Sequence, residues 1–144
     1  LADAGLEIVD VFDGRAEEFL KQGEREALSA LYGFRVVWHE QAQQFAAVRE
    51  GVVIGALRAR IAASLARVEQ LAVEPASRRQ GAGSALLERL REVAIYYNCH
   101  KITVDVPHKS AAQAFFERNG YKVEAVLPQH TFKLDVAVLR KFLL

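Results

Sequence analysis

Between Leu65 and Tyr97 the spacing of apolar residues changes once, and abruptly. Leu65 to Val73 reads as a strand, Glu74-Pro75-Ala76-Ser77 interrupts it, and after Gly83 the residues Leu86, Leu87, Leu90, Val93, Ala94 and Tyr97 mark one face of a helix. A strand that feeds an amphipathic helix through a polar turn with two glycines commits this stretch to a sheet covered by a helix.

The flanking residues extend that pattern. Leu6 to Phe12 reads as a strand closed by Asp13-Gly14, with Asp13 able to cap a helix over Arg15 to Leu31 that carries Ala16, Phe19, Leu20, Ala27, Leu28 and Leu31 at helical spacing and Gly23 as an expected break. Tyr32 to Gln44 shows no clear periodicity. Phe45 to Arg49 and Val52 to Ile61 form an expected hairpin around Glu50-Gly51, in which Leu57, Ala59 and Ile61 alternate with Arg58 and Arg60. Lys101 to Val106 is a strand, and Ser110 to Arg118 a helix stopped by Asn119-Gly120. Tyr121 to Leu127 and Phe132 to Leu139 close a last hairpin. The order is strand, helix, three strands, helix, strand, helix, two strands: a mixed α+β sheet with helices on both faces, not the regular alternation of a doubly wound nucleotide-binding fold.

A chain of 144 residues can bury one continuous core, so residues 1–144 are expected to form a single domain. Nineteen basic residues against 18 acidic ones give no general call for nucleic acid or an anionic membrane, so any anion site must be built locally. Cys99 is the only cysteine, which excludes an internal disulfide and a multi-cysteine metal site and fits a reducing cytoplasm. Neither an export signal nor a membrane span is expected from the apolar runs. The chain opens at Leu1 and contains no methionine, so an initiator ahead of it is expected.

The chemistry concentrates in Leu71 to Leu87, LAVEPASRRQGAGSALL. Without Cβ atoms, Gly81 and Gly83 let a ligand approach the main chain, and the first N–H groups of the helix have no intrahelical partner. Such a helix end binds anions, and Arg78 and Arg79 add forked donors that suit a pyrophosphate better than a single carboxylate. A Walker loop needs Gly-Lys before Ser or Thr, and a dinucleotide fingerprint wants a small residue where Leu86 stands; neither fits. The competing reading is a polar turn whose glycines permit close helix packing.

Arg-x-x-Gly-x-Gly, preceded by Leu71-Ala72-Val73-x-Pro75 and followed by Ala85-Leu86-Leu87, resembles the GNAT acyltransferase superfamily. A second block, SAAQAFFERNGYK from Ser110 to Lys122, is similar to that family's other motif, an alanine-bearing helix with an aromatic pair followed by Gly and an aromatic. The resemblance implies a three-layer fold around a twisted mixed sheet of about six or seven strands. It implies acetyl-CoA as cosubstrate, with the pantetheine arm beside the main chain of Leu71, Ala72 and Val73. The pyrophosphate would lie among Arg78, Arg79 and the N–H groups of Gln80, Gly81, Ala82, Gly83 and Ser84. The chemistry it implies is direct attack of a neutral amine on the thioester, a backbone N–H of the strand holding the developing oxyanion.

Glu69 stands where members often carry a glutamate, and on an unbulged strand it shares the side of Leu71 and Val73, as a base for the incoming ammonium would. A surface or strand-pairing carboxylate is the other reading. Phe116 holds the position of the family's tyrosine acid and has no proton to donate, which leaves Tyr121 and Tyr97 as the nearest phenols in sequence; core packing is the stronger reading of each. Lys109 replaces an asparagine that contacts pantetheine and could reach a phosphate instead. Tyr32, Phe34 and Trp38 lie in the segment that often forms the substrate wall, and Arg58 and Arg60 could attract an acidic group. His108 and His130 suggest no metal set. The implied function is N-acetylation of a small-molecule amine or a peptide or protein N-terminus, with a catalytically weak acyl-CoA-binding module as the alternative. Exposed sheet edges leave room for a homodimer.

Overall fold

The computed structural model describes residues 5–35 and 40–143. The chain divides into two compact units, residues 1–38 and residues 39–144. In the first, helix α1 spans Arg15–Tyr32. Gly14, not the Asp13 expected, is the N-cap residue and makes no side-chain cap; Asp13 stands one residue earlier and accepts the Arg15 N–H on Oδ1 at 3.0 Å. The helix continues through Gly23, which did not break it; an isolated glycine costs only about 1 kcal/mol relative to alanine. Gly33 ends it in the left-handed region, its N–H bonded to Ser29 O. The strand expected over Leu6 to Phe12 is not formed: these residues adopt no ladder.

The second unit holds a six-stranded sheet in the order β1-β2-β3-β4-β6-β5. Its strands are β1 (Gln41–Arg49), β2 (Val52–Ala62), β3 (Leu65–Val73), β4 (Lys101–Pro107), β5 (Lys122–Thr131) and β6 (Leu134–Phe142). Helix α2 (Ala82–Tyr96) crosses over between β3 and β4, the only parallel pair among the described residues, and α3 (Ala111–Arg118) follows β4. This is the α+β mixed sheet expected, with six strands because the N-terminal one is missing. β1 begins four residues before the expected Phe45, since Gln41, Ala42, Gln43 and Gln44 carry too little β-propensity to announce a strand. Three hairpins turn through pairs of positive-φ residues: Glu50-Gly51, Ala63-Ser64 and Phe132-Lys133. Only the first has the glycine that advertises such a turn, which is why Phe132 was read as a strand start.

Alternation decides which face is covered. Leu57, Ala59 and Ile61 of β2, Ala66 and Val68 of β3, Ile102, Val104 and Val106 of β4, and Ala137 and Leu139 of β6 meet one continuous core. Leu86, Leu87, Leu90 and Ala94 of α2 and Phe116 of α3 close over the same side. Leu57, Leu90, Ile102 and Leu139 are fully buried, and each contributes roughly 1.5–3 kcal/mol relative to an exposed position. Arg58, Arg60, Arg67 and Asp105 fall on the opposite face by the same alternation.

Candidate active site

β3 pairs with its two neighbours over unequal lengths. Against β2 the ladder runs its whole length, from Leu65 to Val73. Against β4 it stops after four residues, Leu65 to Val68 with Lys101 to Val104. Beyond Val68 and Val104 the strands separate, leaving a wedge bordered by residues 69–73 and 105–107.

The direction of the main chain along that wedge follows from one bond. Glu74 N–H donates to Ile54 O at 2.8 Å, which makes Ile54 and Glu74 a hydrogen-bonded pair. Antiparallel pairs alternate, so Ala56 with Ala72 and Arg58 with Gln70 are bonded as well. Leu57 with Leu71 and Gly55 with Val73 are the intervening pairs. The N–H and C=O groups of Leu71 and Val73 therefore point into the wedge, while those of Ala72 are committed to β2. An extended ligand carrying amides can add there as a strand. Five residues of strand give the wedge a length of ~16 Å.

The glycine turn closes its far end. A short 3₁₀ turn over Pro75–Ser77 leads to Arg79 and Gly81, both in the left-handed region, and Gly81 is the N-cap of α2. Ala85 N–H returns to Gly81 O as the first helical bond, and no backbone bond among the described residues is donated by residues 80–84. These N–H groups and the helix dipole make an anion cradle. The two glycines are required for different reasons. Gly81 has φ +88° with open space around it, so the backbone conformation demands it; at Gly83 a Cβ would lie 2.9 Å from Phe115 Cζ, so packing demands it. Arg78 Nε donates to Val73 O at 3.1 Å, which holds the guanidinium at the mouth of the wedge. The sequence did not reveal Arg49. It ends β1, bonds the Gln80 side chain and adds a cation to the turn; a lone arginine before a hairpin turn carries no signal of that role.

At the apex, Glu69 is the residue that breaks the register: Arg58 opposes Gln70 and Ala59 opposes Val68, leaving Glu69 as a bulge. The expectation that Glu69 shares the side of Leu71 and Val73 is corrected by that extra residue. Its carboxylate lies on the face of the arginines, 3.7 Å from Arg58 Nε and 3.6 Å from Arg60 Nε. Arg60 also reaches Glu40 at 2.8 Å. Asp105, the first β4 residue past the ladder, takes Arg67 Nη2 on its Oδ2 at 2.9 Å. Two carboxylates thus flank the apex from opposite strands. Asp105 was invisible in the sequence because its importance comes from where the ladder stops.

The second motif packs as core. Phe116 is 4% exposed and meets both Phe115 and Tyr121 edge to face, with ring centroids 5.3 and 5.2 Å apart. The Tyr121 hydroxyl is buried without a hydrogen-bond partner, and burial pushes its phenol above the ordinary value. Tyr97 is 38% exposed and stacks edge-on with Tyr96 at the end of α2. Lys109 is exposed in the left-handed region, its N–H bonded to Gln113 Oε1 at 2.7 Å, and Ser110 caps α3 by accepting the Gln113 N–H. In the first unit Tyr32 and Phe34 lie 6.0 Å apart, and Trp38 falls outside the described residues. Among the described residues no cluster of side chains could hold a metal, and no helix is long and apolar enough to cross a membrane.

The model of the acetyltransferase (GNAT) family matches residues 8–121. No curated protein matches the chain. Solved structures do. A candidate acetyltransferase from Agrobacterium tumefaciens superposes with a TM-score of 0.71 at 22% identity, over 96% of this chain and 99% of its own. The ribosomal-protein-S18-alanine N-acetyltransferase of Escherichia coli does so at 0.62 and 22%, over 69% and 67%. A candidate streptothricin acetyltransferase from Bacillus anthracis str. Ames, in complex with acetyl coenzyme A, gives 0.66 and 17%, over 69% and 61%.

Proposed function

The chain belongs to the acetyltransferase (GNAT) family, and from that premise we propose that it transfers an acetyl group from acetyl-CoA to a primary amine, on a small molecule or a peptide or protein N-terminus. One observation carries the reading: the ladder between β3 and β4 ends at Val68 and Val104, with an anion cradle at the other end of the free edge of β3. The residues suit the cosubstrate. Pantetheine has two amides, and Leu71 presents a main-chain donor and acceptor while Val73 adds a donor, its carbonyl being held by Arg78; the pyrophosphate suits residues 80–84 with Arg78, Arg79 and Arg49, and Lys109 is a further cation for a phosphate.

Bound there, acetyl-CoA supplies an activated thioester carbonyl. A main-chain N–H of β3 directed into the wedge polarises it. Glu69, on the bulge at the apex, takes the proton from the incoming ammonium, directly or through water. The bulge supports this role, since it sets the carboxylate at the start of the wedge on an open face. For the departing thiolate, Tyr121 is the donor this reading favours over Tyr97. It packs against Phe116, where the family's acid would stand, and its hydroxyl has no other partner. A thiol pKa near 8.5 also lets the thiolate leave without help close to neutral pH.

The test is release of free thiol from acetyl-CoA in the presence of an amine panel. Amine-dependent release is expected. Binding of acetyl-CoA without release for wild type and Phe116→Tyr alike would favour the binding module; absence of acetyl-CoA binding would remove both readings.

A further inference from the structure

Beside the apex lies a second feature. A cleft of about 270 Å³ is lined by Asp105, Val106, Pro107, Thr131, Phe132, Leu134 and Val136. Pro107 of β4 pairs with Val136 of β6, and Asp105 with Val138, so Asp105, Pro107, Leu134 and Val136 lie on the sheet face turned away from α2 and α3, while Val106 alternates to the core face. Its β4 residues are the three that border the wedge.

Three observations restrict what fits. The walls are apolar except for Asp105 and Thr131. Asp105 offers one free oxygen, since Arg67 engages Oδ2 and no hydrogen bond reaches Oδ1 among the described residues. The carboxylates beside the apex are matched by arginines, with Arg58, Arg60 and Arg67 set against Glu40, Glu69 and Asp105, and Arg140 adds a further cation on the same face. That face has no surplus of carboxylates for a polycation.

The rim is also held in place. The β5–β6 turn puts Phe132 and Lys133 at positive φ, with Phe132 94% exposed at the edge of the cleft. Asp135 secures the turn, its Oδ1 accepting Gln129 N–H at 3.0 Å and its carbonyl accepting His108 N–H at 2.9 Å. A bulky aromatic in that region is costly unless the surroundings enforce it. The enforcement leaves an apolar ring exposed beside an apolar cleft.

We propose that this cleft is the acceptor subsite and that the acceptor is a singly charged primary amine with a compact apolar substituent. The amine is held by Asp105 at the apex, and the substituent lies against Pro107, Leu134 and Val136 under Phe132. The proposal rests on the acetyltransfer reading and narrows its acceptor. Before attack the amine is an ammonium; it loses one proton to Glu69 or water, its nitrogen forms the C–N bond as the C–S bond breaks to give the CoA thiolate, and the second proton on nitrogen passes to that thiolate or to water to leave the amide.

The experiment is a homologous series of n-alkylamines from ethylamine to hexylamine, with spermidine for comparison, assayed by thiol release. Each added methylene is expected to raise kcat/KM about fourfold until the cleft is filled, leaving the best alkylamine at least tenfold ahead of spermidine. Leu134→Asp, at an exposed position that does not threaten folding, should flatten the series. Asp105→Asn should lower kcat/KM for every amine while the acetyl-CoA dissociation constant stays unchanged. A parallel readout needs no turnover: pentylamine should shift the backbone amide resonances of Phe132 and Val136 in the CoA-saturated protein. A flat series in wild type, or a preference for spermidine, overturns the subsite while leaving acetyltransfer standing. Absence of amide shifts at Phe132 and Val136 overturns it whether or not any amine reacts.

Discussion

The two ends of the free edge of β3 are made from different material. At the Val73 end, the cradle consists of main-chain N–H groups shaped by Gly81 and Gly83, and one continuous stretch of sequence provides nearly all of it. At the Val68 end, the apex consists of side chains from β2, β3 and β4, among them Arg58, Arg60, Arg67, Glu69 and Asp105. Main-chain geometry in a local turn is dictated by neighbouring residues, so a glycine pattern announces it. A constellation assembled by strand register has no such local signature, and a single bulge changes its membership.

The sharpest way to separate the two ends is Glu69→Gln. Turnover with the best amine should fall on the order of 10²-fold or more, as for loss of a general base, while acetyl-CoA affinity stays constant. Unchanged turnover would return Glu69 to an ion-pair partner of Arg58 and Arg60. At the other end, Gly83→Val should weaken acetyl-CoA binding by about tenfold or more in equilibrium titrations and cost about 1–3 kcal/mol of stability, because the new Cβ meets Phe115 at 2.9 Å. Gly81→Ala should cost less, about 1 kcal/mol, through strain at φ +88° alone. Equal effects at the two glycines would contradict the distinction between packing and conformation.

Tyr121→Phe tests whether a buried group is kept for chemistry. Removing an unpaired hydroxyl should raise stability by about 1 kcal/mol in chemical denaturation while lowering turnover. The sign with pH follows from the shift. Burial raises the folded phenol above its unfolded value, so the protonated form favours the fold. That contribution is complete below the unfolded pKa of about 10 and declines as pH rises beyond it. Wild type should therefore lose more stability than Tyr121→Phe between about pH 10 and 12. The smallest effect is expected from Phe116→Tyr, with turnover unchanged or modestly raised and acetyl-CoA affinity similar; a large loss of affinity would show that Phe116 matters through packing alone.

What could be read in advance follows the same division. The strand-turn-helix from Leu65 to Tyr96 was legible because its periodicity switches once and glycines mark the switch. The hairpin at Glu50-Gly51 was legible for its turn residues, whereas Ala63-Ser64 and Phe132-Lys133 take the same left-handed conformation without a glycine. Leu6 to Phe12 has the composition of a strand, but composition cannot supply a neighbour to pair with, and none is formed there. Glu69 was found by motif and misplaced by alternation, since an inserted bulge residue leaves no trace in spacing. Asp105 and Arg49 could not be found at all, because their settings exist only once β4 leaves β3 and β1 reaches Gln80.

The central claim is that the main chain of β3 alternates between a committed edge and a free one, and that acetyl-CoA binds the free one. Amide hydrogen exchange resolved at Leu71, Ala72 and Val73, with and without saturating acetyl-CoA, tests it directly. The account predicts that Leu71 and Val73 gain protection on binding, while Ala72, already bonded to β2, changes little. Binding that leaves Leu71 and Val73 exchanging as fast as before, or that protects Ala72 instead, would contradict it.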